Sequence, residues 1–84
     1  MNKGYVYKAL GSEERLLLLR CLSKPQSVTE LLSRCSLAQS ALSQHLKVLR
    51  DAELVDTQKK GKNVVYQVKT ERVSNLVKTL LDFK

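Results

Sequence analysis

The stretch from residue 38 to residue 51 separates into two sides when it is drawn as an α-helix at about 100° per residue. One side is apolar and consists of Ala38, Leu42, Leu46 and Leu49. The other side, which we call the polar arc, spans roughly 100° and consists of Ser40, Ser43, Gln44 and Lys47. This division predicts an amphipathic helix whose leucines face a core and whose polar arc faces outward.

A strand–turn–strand pattern follows this helix. The segments that suit strands are residues 54–59 and 64–69. The period-two alternation in the second segment predicts one buried face, made by Val64, Tyr66 and Val68. Gly61, in the turn of residues 60–63, supplies the positive φ that a tight hairpin needs. The pattern predicts a β-hairpin over residues 54–69.

Two helical patterns open the chain. Tyr5 belongs to a short first helix that Gly11 interrupts, and Ser12 is placed to cap the next helix. The second helix is apolar on most sides, which predicts a central position, with one face formed by Leu16, Leu19 and Leu22. Pro25 is expected to end it.

A third helix is indicated by a capping box, because Ser27 is followed three residues later by Glu30. We expect this helix to end near Cys35, and a short turn then leads into the amphipathic helix. Two helices joined by a tight turn have the outline of a helix-turn-helix. Thr70 is placed to cap a last helix with a wide apolar stripe, formed by Val73, Leu76, Val77, Leu80 and Leu81. The expected fold is mainly α with a small β-hairpin (α+β), in the order α-α-α-α-β-β-α, as one domain over residues 1–84.

Charge indicates a polyanionic partner. The 84 residues carry 15 Lys and Arg against 8 Asp and Glu, a formal net charge of +7. Four lysines and no acidic residue lie between residues 57 and 70. The alternative is an ordinary solvated surface with a basic bias.

Nothing in the pattern indicates a membrane protein. The longest apolar run is residues 16–19, and no signal-peptide pattern opens the chain. We therefore expect a cytoplasmic protein whose cysteines stay reduced.

The polar arc has the chemistry of a DNA-reading surface. Hydroxyl and amide groups hydrogen-bond base edges, and a lysine reaches guanine or phosphate. Gln39, in the first turn, is expected to contact a base edge or a phosphate. The backbone of double-stranded DNA is the expected partner of the hairpin lysines, which are Lys59, Lys60 and Lys62. The alternatives are that the arc only coats a solvent-facing helix and that the lysines only protect an edge strand.

Catalysis is not expected. His45 is the single histidine and lies beside the apolar face, which favours a packed or backbone-bonded side chain over a ligand. No Ser-His-Asp spacing, phosphate loop or paired-carboxylate motif is recognisable, so we predict neither an enzyme nor a cofactor.

From Ala9 to Tyr66 and beyond, the chain resembles the ArsR/SmtB family of winged helix-turn-helix repressors. The matching stretches are ALGSEERLLLLRCL, SVTELL, SALSQHLKVLRDAELV and KKGKNVVYQV. The resemblance implies a homodimer, formed by the terminal helices, that binds a roughly palindromic operator and blocks transcription until a signal releases it. The expected dimer residues are Tyr5, Leu76, Val77, Leu80 and Leu81. The alternative is that the last stripe packs within its own monomer.

Two departures from the family pattern stand out. Glu53 occupies the position where the family usually has a glycine after the recognition helix, which predicts a different cap with mild strain. The metal-sensing motifs are missing, since Cys35 stands alone in place of a Cys-x-Cys cluster, and we predict no metal site. Cys21 and Cys35 are either buried inert thiols, which is favoured, or a redox pair.

Three functions are compatible with these patterns. The leading hypothesis is a dimeric, sequence-specific transcriptional repressor. A protein- or RNA-binding module is less favoured, because a protein-binding face would expose aromatic residues or arginine at its centre. The third is a non-specific architectural DNA binder.

Overall fold

The structure, a computed structural model, describes residues 3–35 and 37–83. The helices are α1 (Lys3–Leu10), α2 (Glu13–Cys21), α3 (Val28–Arg34), α4 (Gln39–Asp51) and α5 (Glu71–Leu81). The strands are β1 (Gln26–Ser27), β2 (Val55–Lys60) and β3 (Asn63–Val68). The predicted α+β class and the predicted order of helices and hairpin are confirmed, with β1 as an addition.

The three strands form an antiparallel sheet in the order β1-β3-β2. In the hairpin, Val55 pairs with Val68 at the base and Lys60 pairs with Asn63 at the tip. Strand β1 pairs with β3 on the other side, so that Gln26 lies opposite Tyr66. The sheet therefore anchors the base of the hairpin to the segment between α2 and α3.

Side-chain caps begin three of the helices as predicted. The Ser12 hydroxyl accepts a hydrogen bond from the Arg15 amide at the start of α2, and Thr70 does the same for α5. At α3, the Glu30 amide donates to Ser27 Oγ at 3.1 Å and the Ser27 amide donates to Glu30 Oε1 at 2.9 Å. Hydrogen bonding of the Glu30 carboxylate by the Ser27 backbone amide, and secondly by the Ser27 side chain, lowers the pKa of Glu30.

The end of α2 differs from the prediction. The helix ends at Cys21, and Leu22 is its C-cap, so it stops before Pro25. The Leu22 carbonyl instead accepts a hydrogen bond from the Val68 amide at 2.9 Å. The end of this helix is therefore hydrogen-bonded to the hairpin, and Pro25 does not terminate it.

The core lies between α2, α4 and the base of the hairpin. The fully buried large side chains are Leu18, Leu19, Leu22, Leu31, Leu42, Leu49 and Val77. On the predicted face of α2, Leu19 and Leu22 are fully buried and Leu16 is half-buried against the core, while Leu18, outside that face, is only 1% exposed. Because α2 packs against both α1 and α5, its buried face is broader than one row of side chains.

The predicted buried face of β3 is wrong at its outer end. Tyr66 and Val68 are half-buried, whereas Val64 is 42% exposed. Val64 pairs with Lys59 near the tip of the hairpin, beyond the helices that cover the base. The hairpin, which we call the wing, therefore projects from the body, with only Val55 of β2 buried.

A Schellman motif ends α4. The Glu53 amide donates to the Arg50 carbonyl at 2.9 Å, and the Leu54 amide donates to the Leu49 carbonyl at 3.0 Å. Glu53 has φ of 59°, the left-handed region that favours glycine. The prediction of a different cap is therefore wrong, because Glu53 takes the left-handed conformation that a glycine would take, while the predicted strain fits its positive φ. The buried pair of Leu49 and Leu54 closes the motif.

Within the described residues, no helix is long and apolar enough to cross a membrane.

Candidate nucleic-acid interface

Helix α4 has the two sides that its sequence predicts. Leu42, Leu46 and Leu49 are at most 3% exposed, while all four residues of the polar arc are exposed. Ala38 is an exception to the apolar side, because it is exposed as the N-cap rather than packed on the core. The polar arc is thus free to meet a ligand in the monomer, and its contact with bases stays a prediction.

The N-terminus of α4 is open to an anion. Its N-cap, Ala38, provides no side-chain hydrogen bond, and the first turn holds no acidic residue. The first backbone bond of the helix runs from the Leu42 amide to the Ala38 carbonyl, so the amides of residues 39–41 have no acceptor within the helix. Gln39 is exposed beside them. Such amides, at the positive end of the helix dipole, suit a phosphate.

Lys47 has a weak partner that the helix projection did not anticipate. Its Nζ lies 3.2 Å from Asp51 Oδ2, and the two side chains are 78% and 55% exposed. An exposed i,i+4 pair of this kind contributes at most about 0.5 kcal/mol. The pair holds Lys47 only loosely and leaves it available for a phosphate or a guanine.

Arg50 extends the basic surface beyond the predicted residues. It is exposed in the last turn of α4 and lines, with Ser43, Lys47 and Tyr66, a cleft of about 340 Å³ between α4 and β3. Its position seven residues after Ser43 places it on the same helical face, a spacing that the sequence already contained. The four residues of the predicted arc therefore form part of a longer polar face.

The wing carries its lysines at the tip. Gly61, with φ of 60°, is the first of two residues between the paired Lys60 and Asn63, which is where a type II′ turn places glycine. The three predicted lysines, Lys59, Lys60 and Lys62, are exposed. In residues 3–35 and 37–83, no carboxylate lies within ion-pair distance of any of them. Their charge is available to a nucleic-acid backbone.

His45 is packed as predicted, but its partners are side chains rather than backbone. The side chain is 17% exposed, and its Nε2 lies 3.6 Å from Glu14 Oε2. Its Nδ1 lies 3.4 Å from Arg15 Nη1. Arg15 also donates to the carbonyls of Ala9 and Lys8, at 2.9 and 2.7 Å. His45 thus joins α4 to α2 and has the position of a structural residue.

The two cysteines are neighbours. Cys21 ends α2, Cys35 is the C-cap of α3, and both are half-buried free thiols. Burial raises the pKa of Cys35, and the adjacent, hydrogen-bonded Cys21 raises it further. The described part of the chain contains no group of three or more His, Cys, Asp and Glu residues that could hold a metal ion.

Helices α1 and α5 carry exposed large apolar side chains among their polar ones. Of the predicted dimer residues, Tyr5 is 54% exposed, Leu76 is 44% exposed and Leu80 is 37% exposed, while Leu81 is half-buried. The prediction for Val77 is wrong, because this side chain is 1% exposed and belongs to the core of its own monomer. Two further exposed aromatic residues, which the sequence reasoning did not single out for an interface, are Tyr7 and Phe83.

Comparisons with known proteins agree with this geometry. A protein-family model described as a helix-turn-helix domain matches residues 10–58, more than half of the chain. The transcriptional activator HlyU of Vibrio cholerae is 43% identical over 74 residues, which cover 87% of this chain and 68% of that protein. A transcriptional repressor SmtB homolog of Synechocystis is 31% identical over 77 residues, or 90% of this chain and 58% of that protein.

Solved structures have the same architecture. HlyU of Vibrio cholerae superposes with a TM-score of 0.82 at 40% identity, over 93% of this chain and 86% of that chain. A homodimeric winged helix-turn-helix DNA-binding domain of Mycobacterium bovis, described as a possible ArsR-family regulator, superposes with a TM-score of 0.83 over 93% of this chain and 73% of that chain. At 24% identity, the second likeness concerns the fold alone.

Proposed function

Because this chain belongs to the ArsR/SmtB family of winged helix-turn-helix transcriptional regulators, we propose that it is a homodimeric, sequence-specific repressor of transcription. Members of this family are DNA-binding regulators and not enzymes. We propose that it acts in the cytoplasm, where it binds an operator of two-fold symmetry. The chain over residues 1–84 acts as one DNA-binding domain whose terminal helices hold the dimer together.

The single observation that carries this proposal is the exposed polar arc on α4 beside a lysine-tipped wing. In the proposed complex, α4 lies in the major groove, where the arc's hydroxyl, amide and ammonium groups meet base edges. Gln39 and the first amides of α4 hold a phosphate, and Arg50 is available to the backbone next to the arc. The wing lysines follow the backbone or the adjacent minor groove and supply affinity without reading sequence.

The proposed dimer is supported by the unpartnered apolar side chains on the outer faces of the terminal helices. Tyr5, Leu76 and Leu80 are exposed large hydrophobic residues, and in an 84-residue chain such surface favours association. A two-fold axis through these helices would present two copies of α4 to successive major grooves. The half-sites would then lie about 34–36 Å apart along the duplex.

Repression is the proposed direction of control. Among the relatives, HlyU of Vibrio cholerae is a transcriptional activator and the SmtB homolog of Synechocystis is a transcriptional repressor. We propose that the operator overlaps the promoter, so that the bound dimer excludes RNA polymerase. Control by a family-type metal site is not proposed, because Cys35 has Cys21 beside it but the described residues hold no group of three or more candidate ligands.

Selection of bound sequences from a random duplex pool, at a stated salt concentration, tests this function. We expect enrichment of an inverted repeat, and competition by random duplex at least about 10³-fold weaker than by the enriched sequence. Binding of all duplexes alike would indicate an architectural protein. Absence of duplex binding would indicate a protein- or RNA-interaction module. Either result contradicts the proposal.

A further inference from the structure

A cleft of about 300 Å³ lies between α2, the end of α3 and the turn before α4, and none of its lining residues belongs to the polar arc. Its walls are mainly apolar and are made by Leu17, Leu18, Cys21, Cys35 and Leu37. Its polar lining residues are Glu14, Arg20 and Arg34. A concave, mostly apolar cavity of this size with a few polar groups is typical of a small-molecule site.

The two arginines give the cleft an unbalanced charge. Among the described residues, no carboxylate lies within ion-pair distance of Arg20 or Arg34. The charge of Arg34 lowers the pKa of the Glu30 carboxyl, one turn earlier, but less than the hydrogen bonds from Ser27 do. The acidic residue of the lining, Glu14, is directed to another partner, since its Oε2 lies 3.6 Å from His45 Nε2. Two guanidinium groups are therefore available to an anion.

The thiols fit an apolar wall better than a reactive or metal-binding centre. Burial raises the pKa of Cys35, which keeps this thiol protonated at neutral pH. Soft metal ions bind the thiolate, and the described residues provide no third ligand nearby. In this state the two cysteines serve as small hydrophobic residues.

We propose that this cleft binds a small amphipathic carboxylate, with its hydrocarbon tail against the leucines and thiols and its carboxylate at Arg20 and Arg34, and that binding alters DNA affinity. The regulatory half of the proposal rests on the proposed DNA-binding function. The binding half does not, because it can be measured on the protein alone.

The position of the cleft explains how a bound molecule would change the position of α4. Its lining joins three parts of the fold, namely α2, the Cys35 cap of α3 and Leu37 in the turn before α4. Through Glu14 it also borders the contact with His45 on α4. An occupant that shifts α2 against this turn moves α4 relative to the body, which changes how the two arcs of a dimer meet the DNA.

Sodium octanoate, below its micellar concentration, is a suitable probe, with 1-octanol as the uncharged control. We expect calorimetry to detect octanoate binding at least about tenfold tighter than octanol, since only the carboxylate can pair with the arginines. Bound octanoate should also slow alkylation of Cys21 and Cys35 by N-ethylmaleimide. Fluorescence anisotropy should show a change in the Kd for duplex DNA when octanoate is added.

Three variants locate the site. Arg34→Gln should weaken octanoate binding about tenfold while leaving DNA binding in the absence of octanoate unchanged. Lys24→Gln is the matched control, because it removes the same charge from an exposed residue that does not line the cleft. Leu17→Phe keeps both arginines but narrows the apolar part of the cleft, and should weaken binding. Circular dichroism and DNA binding without octanoate verify that each variant is folded.

The proposal is overturned if octanoate neither binds nor protects the thiols, or if octanol binds equally well. It is also overturned if Arg34→Gln and Lys24→Gln have the same effect on octanoate binding. Binding that leaves the Kd for DNA unchanged would overturn the regulatory half. Failure of the proposed DNA-binding function is recognised separately, as absence of DNA binding by the protein without octanoate.

Discussion

Arg15 Nη1 on α2 lies 3.4 Å from His45 Nδ1 on α4. Because a guanidinium only donates hydrogen bonds, Nδ1 is the acceptor, and the ring carries its proton on Nε2 toward Glu14. The same guanidinium donates to the carbonyls of Lys8 and Ala9 at the end of α1. One side chain thus holds together the helix proposed to read DNA, the central helix and a helix of the proposed dimer face.

Arg15→Lys should lower the free energy of unfolding by about 1–3 kcal/mol, since a single ammonium cannot replace three separate contacts of the planar group. Urea denaturation measures this loss. Arg72→Lys, at an exposed position on α5, is the control and should change the free energy by less than about 0.5 kcal/mol. Equal stability of the two variants would mean that the Arg15 contacts contribute nothing.

Glu53→Gly should stabilise the protein. Any residue with a Cβ at φ of 59° destabilises the folded state by about 1–2 kcal/mol relative to glycine. Glycine also stabilises the unfolded chain through its greater freedom, which offsets about 0.5–1 kcal/mol of that gain. The expected net gain is about 0.5–1 kcal/mol in urea denaturation. Glu53→Ala keeps the Cβ and should bring no such gain. An equal gain from alanine would assign the effect to the carboxylate rather than to the backbone.

The capping box makes part of the stability depend on pH. Hydrogen bonds from Ser27 lower the pKa of Glu30 below its ordinary value of 4.5, so the ionised carboxylate favours the folded state. This contribution is present above pH 4.5 and disappears as the pH falls through the lowered pKa. The stability difference between the wild type and Glu30→Gln, measured by urea denaturation, should therefore shrink on acidification from about pH 7 to about pH 3.

Glu71→Gln is a suitable control for that measurement. It removes an acid from the first turn of α5, where Thr70 caps the helix without a reciprocal carboxylate bond. Its effect on stability should change less with pH than the effect of Glu30→Gln. A Glu30→Gln difference that stays constant across this range would contradict a role for the ionised carboxylate.

The features that sequence reasoning predicted well are local. Ser12, Ser27 and Thr70 begin helices because the bonds that cap a helix join residues at most three positions apart. The two sides of α4 followed from periodicity alone, and the missing glycine marked Glu53 as a position of strain, although the cap itself is of the usual kind. Each of these depends on neighbours in sequence, which the chain shows directly.

The features that were missed depend on distant partners. Strand β1 has two residues, too few to show a period, and it exists because β3 offers it an edge. Val64 alternates correctly but lies beyond the helices that would cover it. The apolar stripe of α5 is wide enough to face both the core of its own monomer and the outside. Periodicity therefore could not show that Val77 is buried in the core while Leu80 is exposed.

Leu80→Glu should weaken the proposed dimer. Placing a carboxylate in an apolar subunit contact leaves a buried charge unpaired, and the dimer Kd should rise at least about tenfold. Sedimentation equilibrium measures this change. Val64→Glu is the matched control, since Val64 is 42% exposed and Leu80 is 37% exposed, but Val64 lies on the wing. If both variants dimerise as the wild type does, α5 is not the subunit contact.

The polar arc is proposed to read bases while the wing supplies charge. Two variants separate these roles when their binding to a selected and a random duplex is measured across about 50–200 mM salt. Gln44→Ala should lose about 1–3 kcal/mol on the selected duplex and little on the random one. Lys62→Ala should weaken both duplexes alike and reduce the salt slope by about 1. Equal losses on the two duplexes for Gln44→Ala would contradict base reading by the polar arc.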